Sequence, residues 1–327
     1  MDQPAISIII PVKPGFSVTA AQRLAAVDYP PDRYEIIVAE GYSPSRQRNA
    51  AVATARGEIV YFLDDDSLTL PGFLALAAGH YKDPQVAAVG GPSLTPATDS
   101  LLQRSIGVAL ASVLGGGGMR NRYRAQGKAR LTDDYELILC NLSFRRELFL
   151  ACGGLDERLY PNEENELMDR MRRAGWGLIH DPALAVHRSQ RPTWRLLCRQ
   201  FLNYGRGRAE QTLITRRLQP ASLIPALFVV YAALVPFLSC SLKLLPLAAY
   251  GLLVLAFSVR EAARERSPGM FLRLPFIYAV IHLAYGTGLW WGVVGSLLGK
   301  RRKPGGEVSL RLVKGLDDPP VAPVAAA

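Results

Sequence analysis

The sequence has little cysteine: Cys140, Cys152, Cys198 and Cys240 form no C-x-x-C pair, and no histidine cluster stands near them. They read as buried apolar residues of a reducing compartment, not as a zinc site or a disulfide frame. A secretory signal is also missing. Met1 to Pro4 leads straight toward a strand with no basic n-region, so the first domain is expected in the cytoplasm. The 38 Lys and Arg against 28 Asp and Glu leave a net charge of +10. No helix-turn-helix, zinc-finger or RNP pattern accompanies them, which argues against nucleic acid as a partner. Charge itself is absent from residues 218–242, 244–259 and 274–299. The first and third stretches exceed the ~20 residues a bilayer crossing needs, and the middle one is marginal. Soluble core helices rarely lack charge over such lengths, and Trp290 and Trp291 suit an interfacial belt. A buried helical subdomain is the plainer alternative. Basic residues flank the apolar region, from Arg188 to Arg217 before it and from Lys300 to Lys303 after it, which fits anionic headgroups.

What is present is ample core material: 49% of the 327 residues are hydrophobic. Residues 6–12 (ISIIIPV), 34–39 (YEIIVA) and 59–63 (IVYFL) are unbroken apolar runs, the pattern of strands buried on both faces of a parallel sheet. Further strands are expected at 86–89, 137–144 and 182–186. Helices are expected at 20–27, 46–55 and 145–152, and Gly57 fits the cap of the second. Alternating strands and helices predict an α/β fold, whose ligands bind beyond the carboxyl ends of its strands. Residues 11–13, Glu40 and the run Asp64-Asp65-Asp66 all fall at such ends. Four glycines at 115–118 predict a mobile loop, either closing over a ligand or a plain linker.

Three carboxylates at a strand end repel one another unless a cation neutralises them, and oxygen ligands at this density suit magnesium or manganese. A solvated acidic turn is the alternative. Residues 162–173 (NEENELMDRMRR) read as a helix start, with Glu163 and Glu164 in the first turn. Leu167 and Met171 would be buried, while Glu166 and Arg170 pair at i,i+4. A carboxylate at Glu163 or Glu164, near a metal–phosphate site, could act as a general base. His187 is a candidate extra metal ligand, or a structural histidine.

In this order the chain resembles the family-2 glycosyltransferases of the GT-A fold, over approximately residues 5–217. The resemblance rests on SIIIPV, YEIIVAEGYS, SRQRNAAVATARGEIVYFLDDDS, CNLSFRRELFLACGGLDE and EENELMDRMRRAGW. It implies a Rossmann-like α/β catalytic domain at 1–217, with a basic juxtamembrane segment at 188–217. Asp66 would be the principal metal ligand, and Asp64 or Asp65 would contact the ribose or help hold the ion. Pro11 and Glu40 would line the nucleoside pocket, and Arg48 would lie near the donor. Glu164 matches the catalytic base of the Glu163-Glu164 pair, and His187 matches a position that binds metal in some relatives. Glu40 and Glu164 stand where Asp is usual, and Lys13 where a polar or aromatic residue is common. Residues 200–208 (QFLNYGRGR) resemble a basic segment found before the membrane anchor in exopolysaccharide and glycolipid relatives. It either borders the acceptor or sits on headgroups, and the headgroup reading is preferred.

The implied reaction is inverting transfer from a nucleotide-diphosphate sugar to a lipid-linked or glycan hydroxyl, at the inner membrane and with a cytoplasmic catalytic domain. The alternatives are a nucleotidyltransferase and a non-catalytic membrane subunit. Transmembrane helices are expected at 220–241, 243–259 and 274–298, within a region 218–303, followed by a disordered tail at 304–327. Length favours three crossings; the basic residues at 300–303 favour an even number. Three is the expectation.

Overall fold

The unbroken apolar runs form strands. β1 is Ile6–Val12 and β2 is Tyr34–Glu40. α1 (Pro44–Thr54) starts with a proline in its first turn and leads to β3 (Ile59–Leu63). Then come α2 (Phe73–His80), β4 (Val86–Gly90), β5 (Ser93–Leu94) and α3 (Leu101–Ala111). β6 (Arg130–Leu131), β7 (Asn141–Arg145), α4 (Arg146–Ala151), α5 (Glu163–Arg173), β8 (Gly177–His180) and β9 (Val186–His187) follow. Four long helices come next: α6 (Trp194–Thr215), α7 (Pro220–Leu234), α8 (Leu245–Arg264) and α9 (Leu274–Leu297). The last element is β10 (Ser309–Lys314). The structure, a computed structural model, describes residues 3–18, 20, 24, 27–239, 241–299 and 305–319. Most of the helix expected at 20–27 lies outside the described residues, as do Cys240 and residues 300–303.

The chain divides into two units. The first comprises Met1–Leu94, Asn121–Arg188 and Lys303–Ala327. Its main sheet has the order β10-β2-β1-β3-β7-β4-β8-β6, with β5 and β9 paired apart. β1 runs parallel to both β2 and β3, while β7 is antiparallel to β3 and β4. Alternation along each strand sends Ile8 and Ile10 into one core and Ile9, Val60 and Phe62 into the other. The sheet is therefore buried on both faces, which is why its strands are apolar without interruption. The strand expected at 137–144 begins only at Asn141, and that at 182–186 is confined to Val186–His187.

The tail is a correction. Residues 309–314 were expected to be disordered, and they form β10, antiparallel to β2 from Ser309↔Glu40 to Lys314↔Ile36. Leu310 and Val313 pack on the two cores, and Lys314 is buried. The edge of β2 thereby gains a partner for its open backbone groups. One folded sheet now holds chain from before and after the apolar helices, so three crossings would set its strands on opposite sides of a membrane.

The second unit comprises Thr95–Arg120 and Ser189–Arg302. It includes residues 189–217, which the sequence places with the catalytic domain. The cause is the intimate packing of α6 on α9: a Cβ on Gly205 would lie 2.0 Å from the Tyr285 carbonyl oxygen, and one on Gly288 would lie 2.2 Å from that of Leu202. Arg208, read as a headgroup contact, is 2% exposed and donates to Gln211 at 2.7 Å. The glycine run is not a plain loop. Val113–Gly116 closes a helical turn capped by Ser112, and Gly117–Arg122 continues as 3-10 helix. Among the described residues, three stretches are long and apolar enough to cross a membrane: Pro220–Phe237, Leu242–Arg264 and Pro268–Leu297.

Candidate active site

The site gathers at the carboxyl ends of β1, β2 and β3. Pro11 and Glu40 are half-buried there, with Val12 paired to Glu40 in register. Gln47 of α1, which sequence reasoning missed, donates from one amide nitrogen to the carbonyls of Val12 at 2.8 Å and Ala39 at 2.6 Å. It ties the two strand ends to the helix that carries Arg48. Its signal was slight, a polar residue on the buried side of a short helix.

Arg48 is the hub. Its guanidinium donates to Asp64 Oδ1 at 3.0 Å and to Glu163 Oε1 at 3.5 Å. Arg48 and Glu163 side chains are 5% and 3% exposed, so the pair is desolvated. Asp64 directly follows β3, and Ser67 fixes the turn, accepting from the Asp64 amide and donating to the Cys140 carbonyl. Asp65 is half-buried, and burial, then Asp66 and Asp64, push its carboxyl above the usual range. Asp66 is the most exposed of the three.

His187 exchanges two backbone bonds of 2.9 Å with Leu68, just beyond the acidic run. The next residue, Arg188, is the second residue that sequence reasoning missed. Its guanidinium reaches Asp66 Oδ1 at 2.7 Å and Asp64 Oδ2 at 3.1 Å. Burial works against that charge, but Asp64, Cys140 and Asp66 outweigh it and raise the Arg188 pKa well above the arginine range. No sequence pattern links residues 122 positions apart through a two-residue strand.

Glu163 and Glu164 open α5, behind Asn162 in a left-handed conformation. Burial, then Glu164, push the Glu163 carboxyl up to about 8, against the pull of Arg48. Among the described residues its Oε2 has no hydrogen-bond partner. Glu164 faces Arg122 at 3.9 Å. Arg122 is itself held by Asn165 Oδ1 at 2.6 Å and the Asp134 carbonyl at 2.5 Å. Leu167 and Met171 are buried as expected, and Glu166 pairs with Arg170 at 2.7 Å, a structural contact.

Asp66, Asp64 and His187, the expected metal ligands, are near one another but not arranged as a ligand set. Among the described residues no three His, Cys, Asp or Glu side chains are placed to hold a metal ion. Both oxygens of Asp64 and one of Asp66 are bonded to guanidinium groups. As arranged, the residues do not fit a divalent ion, because Arg188 and Arg48 supply the neutralising charge.

The model of glycosyl transferase family group 2 matches residues 59–293, from β3 into the last turns of α9. The chain belongs to that family. Among its relatives is the succinoglycan biosynthesis protein ExoA of Rhizobium meliloti (strain 1021), 29% identical over 198 residues, covering 58% of this chain and 56% of that protein. The pre-mycofactocin glycosyltransferase of Mycobacterium tuberculosis (strain CDC 1551 / Oshkosh) is 30% identical over 157 residues, covering 46% of this chain and 32% of that one. The chain thus spans about half or less of the length of these relatives. Among solved structures, the mannosyltransferase PcManGT of Pyrobaculum calidifontis, in complex with GDP-Man and Mn2+, superposes with a TM-score of 0.58. It is 16% identical and covers 88% of each chain, a likeness of fold. The catalytic unit has the expected GT-A architecture, followed by apolar helices compatible with a membrane anchor.

Proposed function

We propose that this family member is an inverting glycosyltransferase, moving a sugar from a nucleotide-diphosphate sugar to a hydroxyl of a lipid-linked or polysaccharide acceptor. The observation that carries the reading is Arg48, whose one guanidinium joins Asp64 at the end of β3 to Glu163 at the start of α5. The acidic strand end and the glutamate pair therefore border one site, as transfer between a donor and an acceptor requires.

Pro11, Glu40 and one of Asp64 or Asp65 receive the nucleoside. Arg48 and Arg188 face the diphosphate, where guanidinium forks match phosphate oxygens. Glu164 takes the proton of the acceptor hydroxyl. The freed oxygen bonds to the anomeric carbon from the face opposite the leaving group. The bond from that carbon to the diphosphate oxygen breaks, its electron pair leaves with the nucleoside diphosphate, and configuration inverts. Glu163 holds a proton at neutral pH, so the two adjacent carboxyls do not both carry charge. Manganese or magnesium is implied by the family resemblance. Its binding at Asp66 and Asp64, with His187 beside them, requires Arg188 to release both carboxylates. The unit works at the cytoplasmic face of the inner membrane, held by the apolar helices.

Membranes containing the full chain, given a panel of labelled nucleotide-sugars, test this reading. Glu164→Gln should lower kcat by about 10²–10⁴-fold, the range for a lost general base, with donor affinity nearly unchanged. Near-full activity of Glu164→Gln beside a dead Glu163→Gln would reverse the two roles.

A further inference from the structure

We infer that Arg122 is a positioning residue of the reaction: it braces the turn that carries Glu163 and Glu164, and it sets its positive charge against Glu164, the carboxylate that takes the acceptor proton. This rests on the base assignment proposed above and adds the group that prepares the base.

Arg122 is held from three sides. It ends the 3-10 turn that follows the glycine run and is 6% exposed. Its Nε donates to the Tyr135 carbonyl at 2.7 Å. Its Nη2 donates to the Asp134 carbonyl at 2.5 Å and to Asn165 Oδ1 at 2.6 Å. Three bonds from one planar fork fix the guanidinium as they could not fix an ammonium on a flexible stem. The remaining nitrogen, Nη1, lies 3.9 Å from Glu164 Oε1. At that separation the contact is an ion pair and not a hydrogen bond. It acts on the charge of Glu164 without occupying the lone pair that a proton must reach.

The fork is tied to the turn that bears the glutamates. An arginine only donates, so Asn165 must turn its amide oxygen to Arg122 and its amide nitrogen elsewhere. That nitrogen donates to Asn162 Oδ1 at 3.0 Å. Asn162 is the N-cap of α5 and Asn165 lies in its first turn, so the two asparagines flank Glu163 and Glu164. Asn162 has a φ of 87°, in the left-handed region that asparagine tolerates better than most residues. One chain of hydrogen bonds, from Arg122 to Asn165 to Asn162, therefore spans the pair. It fixes the backbone from which both carboxyls project.

Charge decides which glutamate is the base. Around the pair stand Arg48 from α1, Asp64 after β3 and Arg122. Arg48 is nearer to Glu163, at 3.5 Å, than Arg122 is to Glu164, but Arg48 is shared with Asp64 at 3.0 Å. Arg122 makes its hydrogen bonds to uncharged oxygens. The carboxylate of Asp134, whose carbonyl it holds, meets Arg172 at 3.8 Å. A cation shared with a second carboxylate favours ionisation of its neighbour less than one bonded to carbonyls and an amide. The proton therefore rests on Glu163 and the charge on Glu164. The Glu163 carboxyl agrees, pushed up to about 8 by burial and by Glu164.

The test compares Arg122→Gln and Arg122→Lys with the parent, each as full-length protein in membranes, with the labelled nucleotide-sugar that the parent turns over. Arg122→Gln should lower kcat by about 10²-fold, the cost of misplacing a reacting group by about an ångström, with donor KM nearly unchanged. The acid limb of its kcat–pH profile should move up by about 1–3 pH units, because a base that has lost a neighbouring cation takes its proton at higher pH. Arg122→Lys should keep the limb where the parent has it and lose less in kcat. An unmoved acid limb in Arg122→Gln, with the loss confined to Tm, would make Arg122 a structural brace and overturn the inference. Should Arg122→Gln fail to fold, Arg122→Lys decides. Its kcat per folded molecule below the parent's, at unchanged donor KM, upholds the positioning role; a parental kcat at a lowered Tm overturns it. A double-mutant cycle in detergent at neutral pH reads the pair without substrate. Arg122→Gln should lower Tm by more in the parent than in Glu164→Gln, and equal losses in the two backgrounds would show that the charges are not coupled. Failure of the transferase reading looks different: a parent that turns over no nucleotide-sugar removes the reaction, and the role of Arg122 in it, whatever the cycle gives.

Discussion

Two of the contacts between arginine and carboxylate differ in burial. At the start of α5, Arg48 and Glu163 are almost fully buried and pair at 3.5 Å. At the end of β3, Arg188 is 23% exposed and Asp66 49% exposed, at a shorter 2.7 Å. The shorter contact is the weaker constraint. Water reaches Asp66 in both open and closed arrangements, so its contact with Arg188 is the more weakly held of the two. The buried Arg48 has no such alternative, because its guanidinium would lose its acceptors, Asp64 and Glu163, with no water to replace them. The buried cluster is built to stay, and the strand-end cluster is built to exchange partners.

The largest expected effect comes from breaking the buried side. Arg48→Met removes the guanidinium that joins Asp64 to Glu163, leaves both acceptors without their donor, and should cost about 1–3 kcal/mol, the range for an unsatisfied buried polar group. Denaturant unfolding of the variant measures it. A loss no greater than that of an exposed pair would mean that Arg48 is more hydrated than its 5% exposure indicates.

Much of this contrast was out of reach of the sequence. β1, β2 and β3 were legible because a strand buried on both faces needs apolar residues at every position, and ISIIIPV, YEIIVA and IVYFL have them. Asp64-Asp65-Asp66 was legible because the strand before it fixes where it points. Arg188 was not, since its role depends on β9 lying beside Leu68, a tertiary contact with no local period. β10 was missed because SLRLVK is short, charged and at a sheet edge, where alternation is weak and composition resembles a tail. Only Leu310 and Leu312, two apart, hinted at it. The burial of Arg208 was missed because arginine ahead of an apolar helix usually lies on headgroups, whereas here the glycines of α6 and α9 let two backbones close over it.

A second, smaller effect sharpens the comparison through pH. Burial, then Glu164, raise the Glu163 carboxyl from 4.5 to about 8. The folded chain therefore binds this proton more tightly than the unfolded chain does. The contribution to stability is full below about pH 4.5 and is lost as pH rises through about 8. The loss is of the order of a few kcal/mol. Glu163→Gln keeps a neutral side chain of the same shape, so its Tm should fall less than that of the parent between pH 5 and pH 9. Parallel Tm profiles would show that the glutamate is hydrated and titrates normally.

The smallest effect on stability, and the one that decides what the strand end is for, comes from Arg188→Ala. The pair it removes is partly exposed, so unfolding should shift by about 0–1 kcal/mol. The consequence lies in ligand binding. With Arg188 gone, Asp66 and one oxygen of Asp64 lose their cation, while Arg48 still holds the other oxygen of Asp64. Three neighbouring carboxylates with less neutralising charge attract a hard divalent cation more strongly. Manganese binding to the donor-free chain, followed by the electron spin resonance of free Mn2+, should therefore tighten in the variant. Binding of a nucleoside diphosphate without metal should weaken, because one of the two guanidinium groups facing the phosphates has been removed. Unchanged manganese affinity would mean that Arg188 does not compete with an ion for these carboxylates. A stability loss as large as that of Arg48→Met would erase the distinction between the two arginines.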